Sequence, residues 1–375
     1  MRQSALGLKD ANHRRTILFA AMAAGLLVLG SCSYYGQALY GGLEIVCRKR
    51  AIEALLADPK LDPGLRARLS AVTEMRRFAV AALGLPDNAS YRAYADLGRP
   101  FASWTVTAAP ALSLEPKTWC FPVAGCVTYR GYFSAARAEA FGAKLAAEGY
   151  DVDVGGVRAF STLGWLADPV LNSFIHLPAP DLAGLLFHEL AHQVIYVRDD
   201  TVFNESFATA VERAGVRRWL EAQGRGADVA AYDAAAEREG EVARLLQATR
   251  DELAAVYASS RSSAEKAAQK AEILAAARAG YQELTASWGM PERERAAALR
   301  WFDGLNNARL ASWGAYAELV PAFEALLARD GGDLPRFYAE VRRLAALPKE
   351  QRRAALAGVP GLGLSAATPP TPGWF

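Results

Sequence analysis

The stretch Leu185-Leu-Phe-His-Glu-Leu-Ala-His-Gln193 holds two of the chain's four histidines, spaced four apart, with Glu189 beside the first. Residues four apart stack on one face of an α-helix. Two imidazoles so placed, His188 and His192, can hold one Zn²⁺ at about 2.0–2.1 Å each. Glu189 then sits next to the metal, where it can take a proton from water. This spacing commits the segment to a helix. It also obliges the fold to bring another donor to the same face, because a catalytic zinc takes three protein ligands and keeps one position for water.

The best candidate for that donor is Glu205, in Asn204-Glu-Ser-Phe-Ala208. Twelve residues separate it from His192 (205 − 192 − 1). So short a connection predicts that the second helix folds back on the first and turns its first-turn Glu to the metal. Glu212 is the rival, seven residues later and two turns on along the same face. It ligates the metal, holds a histidine from behind or pairs with a nearby Arg. Asp199 and Asp200 could also ligate, but are read as helix breakers. Without a metal the motif would be a buried helix with two satisfied histidines. The helical context, the following carboxylate and an export signal together favour the metal site.

That export signal lies at the N-terminus. Arg2, Lys9, Arg14 and Arg15 precede an apolar run of sixteen residues, Thr16 to Ser31. The run is short for a membrane span and suits a signal peptide over residues 1–31. It ends in Leu29-Gly30-Ser31-Cys32, which resembles a bacterial lipobox. The resemblance implies that Cys32 carries lipid and becomes the mature N-terminus, anchoring the protein to a membrane. An uncleaved anchor is the alternative. Ser33 in place of Asp points, by resemblance to Gram-negative lipoproteins, to the outer membrane, with the protein facing the periplasm. Of the other cysteines, Cys120 and Cys126 are read either as a bridge across a turn or as buried thiols, and Cys47 as a core thiol.

At 375 residues and 52% hydrophobic composition, the chain can build a sizeable core. Its 42 basic and 40 acidic residues nearly cancel, and no basic stripe suggests a nucleic-acid partner. Helical patterns over Tyr34–Leu56 and Pro63–Leu83, then a loop over Asp87–Arg99, make residues 32–100 a helical hairpin and loop. Residues 101–224 are read as the core. They contain strand-like segments at Trp104–Thr107, Thr118–Val123, Val127–Phe133, Val152–Val157 and Val170–Ile175, and a helix after Ser134. The motif helix, Pro180–Val197, and a helix capped by Asn204 complete that core. Residues 225–290 read as a long helical hairpin standing off it, and 291–375 as further helices ending in a Pro-rich tail. The fold class expected is α+β and predominantly helical, a zincin-like core with a small β-rich segment before the motif helix.

His188-Glu-Leu-Ala-His-Gln193 followed by Phe203-Asn-Glu-Ser-Phe-Ala208 resembles the gluzincin metallopeptidases, whose second motif supplies the third zinc ligand. The connector is shorter here than in that group. A wider resemblance covers nearly the whole mature chain. Trp119–Cys126, Tyr129–Phe133, Ser161–Trp165, the histidine motif and Leu305–Leu310 look like a bacterial family of putative aminopeptidases, many of them lipoproteins. The resemblance implies a zinc-dependent peptidase acting on peptide substrates, with one Zn²⁺ on His188, His192 and Glu205 and with Glu189 as general base. The alternatives are a peptidase-like binding or scaffold lipoprotein without turnover, and a zinc amidase cutting peptidoglycan stem peptides.

Other residues are read both ways. His176 either supports the oxyanion or is a surface loop histidine before Pro178, and Tyr281 and Tyr316 either reach over the site from downstream helices or simply pack. Asn306, Asn307 and Arg309 line the cleft or cap a helix. Phe160–Trp165 offers an edge strand to substrate or forms a sheet turn. None of Glu115, Asp151, Asp153 and Asp168 stands out as a grip for a substrate ammonium.

Overall fold

In a computed structural model of the chain, the described residues are 36–37, 40–121, 125–159, 167–198, 200–313 and 319–358. The signal segment, Cys32, Phe160–Trp165, Asp199, Tyr316 and the Pro-rich tail lie outside them. The chain divides into two compact units, Met1–Cys47 and Arg48–Phe375.

In the first unit residues 40–47 are helical. Tyr40, Leu43 and Val46 are exposed along this helix, and so is the free thiol of Cys47. Cys47 is therefore not a core thiol. It follows Leu43 by four residues and Tyr40 by seven, which puts it on the same outward stripe.

The second unit opens with a strand where the periodicity predicts unbroken helix. Arg50–Ala51 (β1) pairs antiparallel with Ala93–Ala95 (β2), and β2 pairs in parallel with Val170–Leu171 (β8). Only after this strand does Ile52–Ala57 (α1) form. The next helix, Pro63–Leu83 (α2), keeps its predicted bounds because its ends are written locally. The Asp62 carboxylate accepts from the Leu65 amide at 2.8 Å, and Gly84 closes the helix at φ +64°, a conformation that costs glycine little.

The central sheet is antiparallel in the order β6–β3–β7: Tyr129–Tyr132, Ser103–Pro110 and Tyr150–Val157. Helix α3 (Ala135–Ala147) packs on it at Gly142, where an added Cβ would stand 2.9 Å from Val154 Cγ2. Ser134 precedes α3 but makes no side-chain cap. Trp119–Phe121 (β4) and Gly125–Val127 (β5) form a small hairpin in which Cys120 and Cys126 stand opposite each other and are joined by a disulfide. The bridged reading of the pair thus holds.

Two helices carry the histidine motif and its partner, Ala179–His192 (α4) and Thr201–Ala222 (α5). Helix α4 stops at His192 rather than Val197. Asn204 is the reason. It lies inside α5, where its side-chain oxygen accepts from the Val197 amide at 2.8 Å and its amide donates to the Val197 carbonyl at 2.7 Å. This clamp holds the connector out of helix. The cap expected from Asn204 is made instead by Asp200, whose side chain accepts from the Phe203 amide at 3.4 Å while ion-pairing with buried Arg352. At Gly215, α5 lies close against α2 and α4. An added Cβ there would sit 2.8 Å from Leu83 Cδ1 and 2.9 Å from Phe187 Cδ2.

Helices α6 (Gly226–Ala258) and α7 (Ser263–Ser287) form the predicted hairpin, and a Ser262–Glu265 capping box starts its second arm. The hairpin does not stand off the rest. Leu246, Leu253 and Tyr281 share an apolar cluster with Phe302 of α8 (Glu292–Asp303) and with Leu310 and Trp313 of α9 (Asn307–Trp313). Asp233 accepts from Arg217 of α5 at 2.6 Å. The last helices, α10 (Val320–Arg329), α11 (Leu334–Ala345) and α12 (Lys349–Ala357), complete the unit. Phe337 of α11 stacks on Phe207 of α5, and Phe323 of α10 meets the same ring edge-on.

The Gly215 contact makes a sharp expectation. Gly215→Val should lower the unfolding free energy by about 1–3 kcal/mol through overpacking. Urea denaturation would check it, and an unchanged midpoint would show that the helices can separate freely.

Candidate metal centre

Both histidines are buried, because every residue of α4 from Leu182 to Ala191 except Glu189 faces packed neighbours. Glu189 is half-buried, next to His188 on the exposed margin of the helix. Helix α5, turned back by the Asn204 clamp, brings Glu205 to the two rings. The Nε2 atoms of His188 and His192 lie 3.1 Å apart, and Glu205 Oε2 lies 3.2 Å from the first and 3.5 Å from the second. A tetrahedral centre with bonds of about 2.0–2.1 Å would space its ligand atoms about 3.3–3.4 Å apart. The three donors match that triangle. Two imidazole nitrogens 3.1 Å apart also repel through their lone pairs unless a proton or cation lies between them. His188, His192 and Glu205 could therefore hold a metal ion.

The opposite nitrogen of His188 is engaged too. Its Nδ1 lies 3.0 Å from Glu212 Oε2. That geometry places Glu212 behind the ring, away from the donor triangle. Gly184 leaves room for it, since a Cβ at 184 would come within 3.0 Å of Glu212 Oε1. Burial disfavours a charged His188, but hydrogen bonds to Glu205 and Glu212 outweigh it and raise the imidazole well above its ordinary range. Burial pushes Glu205 upward in turn, and the two histidines hold it far below the usual carboxylate range. Further back, Arg213 stands 3.5 Å from Glu324 and 3.9 Å from Glu239. Burial raises Asp181 above its ordinary range, with Glu212 adding to the effect.

Tyr91, whose phenol feels the charge of Glu189, could not be picked out in the sequence. It is buried, and it is the one non-glycine with positive φ (60°) among the described residues. Its amide donates to the Asp168 carbonyl at 2.6 Å. Burial pushes its phenol well up, and the charges of Glu189 and Asp168 add to that. Its loop is bolted to the end of α4, where Asn88 donates to the Gln193 side chain at 2.6 Å. The segment Asp87-Asn-Ala-Ser reads only as a turn, and nothing in it signals the contact with α4.

Other candidates fall elsewhere. His176 is exposed. Tyr281 stacks on Phe302 with ring centroids 4.1 Å apart and packs. Asn306 caps α9 by accepting from the Arg309 amide at 3.0 Å, and its own amide donates to the Val152 carbonyl at 2.9 Å. Asn307 donates through its side chain to Pro110 and Ala111, and Arg309 binds Asp153. This cluster ties α9 to β3 and β7 and does not line the donor triangle. Asp151 and Asp153 serve the same tether.

Two buried imidazoles and one half-buried carboxylate, with a second carboxylate next to the first histidine, thus form a group that could hold a metal ion. The sequence model of a family described as "Putative aminopeptidase" matches residues 33–356, so the chain belongs to that family, and the activity it implies is that of a peptidase. No curated protein and no solved structure matches the chain.

The charge pairing predicts how the metal-free protein responds to acid. A carboxylate held below its unfolded value stabilises the fold above that value and loses the effect as pH falls. Metal-free Glu205→Gln should therefore melt below the wild type near pH 6, and the gap should narrow as pH drops below 4.5, the ordinary value for Glu. Thermal melts of chelated protein across pH would check this, and a gap independent of pH would refute the pairing.

Proposed function

We propose that this protein is a zinc-dependent metallopeptidase of aminopeptidase type, built on a zincin-like core and held at the cell envelope as a lipoprotein. The observation that carries the reading is the donor triangle of His188, His192 and Glu205, with edges of 3.1–3.5 Å, beside Glu189. Two nitrogen donors and a carboxylate suit zinc and leave one position open. Bound there, zinc would polarise a scissile carbonyl and lower the pKa of a water.

The chain's own groups do the rest. Glu212, at 3.0 Å, holds the Nδ1 proton of His188 and so aims the Nε2 lone pair into the triangle. Glu205 contributes negative charge on the same side. Glu189 accepts a proton from the attacking water and delivers it to the leaving amine nitrogen. The apolar wall of α4 keeps bulk water away and strengthens these charges.

The test combines metal analysis with turnover. Purified protein should carry one zinc per chain, and Glu189→Gln should keep the metal while losing hydrolysis of peptide substrates. Glu205→Ala should lose the metal, and Glu212→Ala should bind it about 10–100-fold more weakly. Activity in zinc-loaded Glu189→Gln would refute the assigned base. Free and N-acetylated peptide libraries, read by mass spectrometry, would separate removal of terminal residues from internal cleavage.

The anchor is proposed from the lipobox-like Leu29-Gly-Ser-Cys32. Cys32→Ala should release the protein from the lipid-modified pool, checked by metabolic labelling with palmitate. Equal labelling of the variant would place the lipid elsewhere or remove it from the account.

A further inference from the structure

Tyr196 lies in the connector just beyond the motif helix. Its ring meets the His192 ring edge-on, with centroids 6.3 Å apart and planes at 74°. It is 52% exposed, and with Tyr129 it is one of two large hydrophobic residues exposed in the Arg48–Phe375 unit among the described residues. Leaving an aromatic ring in water forgoes much of its burial energy. The connector that carries this ring is tied down nearby. The Gln193 side chain accepts from Asn88 at 2.6 Å, and Asn204 grips both backbone groups of Val197. The backbone is thus gripped immediately after Tyr196, and the segment before it is tied through the Gln193 side chain. An aromatic ring with few rotatable bonds, presented in this way, offers a large contact area at little entropic cost to whatever binds.

We propose that Tyr196 walls the substrate subsite beside the scissile bond and selects peptides with a large apolar or aromatic side chain there. The inference rests on the metallopeptidase reading of the same centre. A carbonyl that reaches a cation between His188, His192 and Glu205 brings its flanking side chains close to a ring packed against His192. The ring acts through its apolar face and edge, so its hydroxyl is not required.

Binding of amino-acid hydroxamates to the zinc-loaded, full-length protein tests this without needing turnover. Calorimetry would compare the glycine, alanine, leucine and phenylalanine compounds. The wild type should favour leucine and phenylalanine. Tyr196→Ala should weaken those two about three- to tenfold and leave glycine and alanine unchanged, while Tyr196→Phe keeps the wild-type order. Equal loss across all four compounds, no loss at all, or failure of the zinc-loaded protein to bind any of them would overturn the inference. A chain that takes up no zinc would instead sink the metal centre itself.

Discussion

The return of α5 onto α4 is the constraint on which the site depends. Two histidines on one helix supply two corners of a triangle, and nothing on that helix can supply the third. Asn204 makes the return possible. By gripping the amide and carbonyl of Val197 it ends the first helix early, satisfies two backbone groups that a tight connector would otherwise leave unpaired, and starts α5 at the right height. Gly215 then lets the two helices and α2 lie close together. A donor misplaced by one helical turn, about 5.4 Å, would leave the triangle open.

Around that return, charge is arranged in a line. Glu205, His188 and Glu212 alternate in sign when the imidazole is protonated, and Arg213 stands further back, near Glu239 and Glu324. Buried charges persist only when paired in this way. The same line that stabilises a metal-free site also orients His188 for a cation, so the protein meets the cost of a buried polar centre before any ligand arrives. The hairpin of α6 and α7 belongs to this arrangement. Its Asp233 and Glu239 face Arg217 and Arg213 on the outer side of α5.

The differences between expectation and structure share one cause. Local signals placed α2 correctly because Asp62, Pro63 and Gly84 act within a turn of the residues they cap. Where partners lie far along the chain, local reading misassigned roles. Residues 50–51 look helical in sequence but join a strand more than 40 residues away. Asn204 looks like a cap and is a clamp, while Asp200 caps and also pairs with Arg352, 152 residues on. Asn306, Asn307 and Arg309 read as a cleft lining or a helix cap; Asn306 does cap α9, and the three also tether it to strands some 150–200 residues upstream, which no local signal shows.

The sequence by itself determined the donor groups: the helical spacing of His188 and His192, the adjacent Glu189, and a carboxylate at the start of the next helix. Four-residue periodicity is enforced by the backbone, and so it can be read from one segment. Tertiary structure alone decided which of two carboxylates faces the rings and which stands behind His188, since both share a face of α5 and only the crossing of the helices separates them. It also decided that Tyr91 would meet Asp168 and Tyr196 would lie beside His192. Those neighbours are set by packing across the core and by a folded connector, and neither leaves a periodic mark in the sequence.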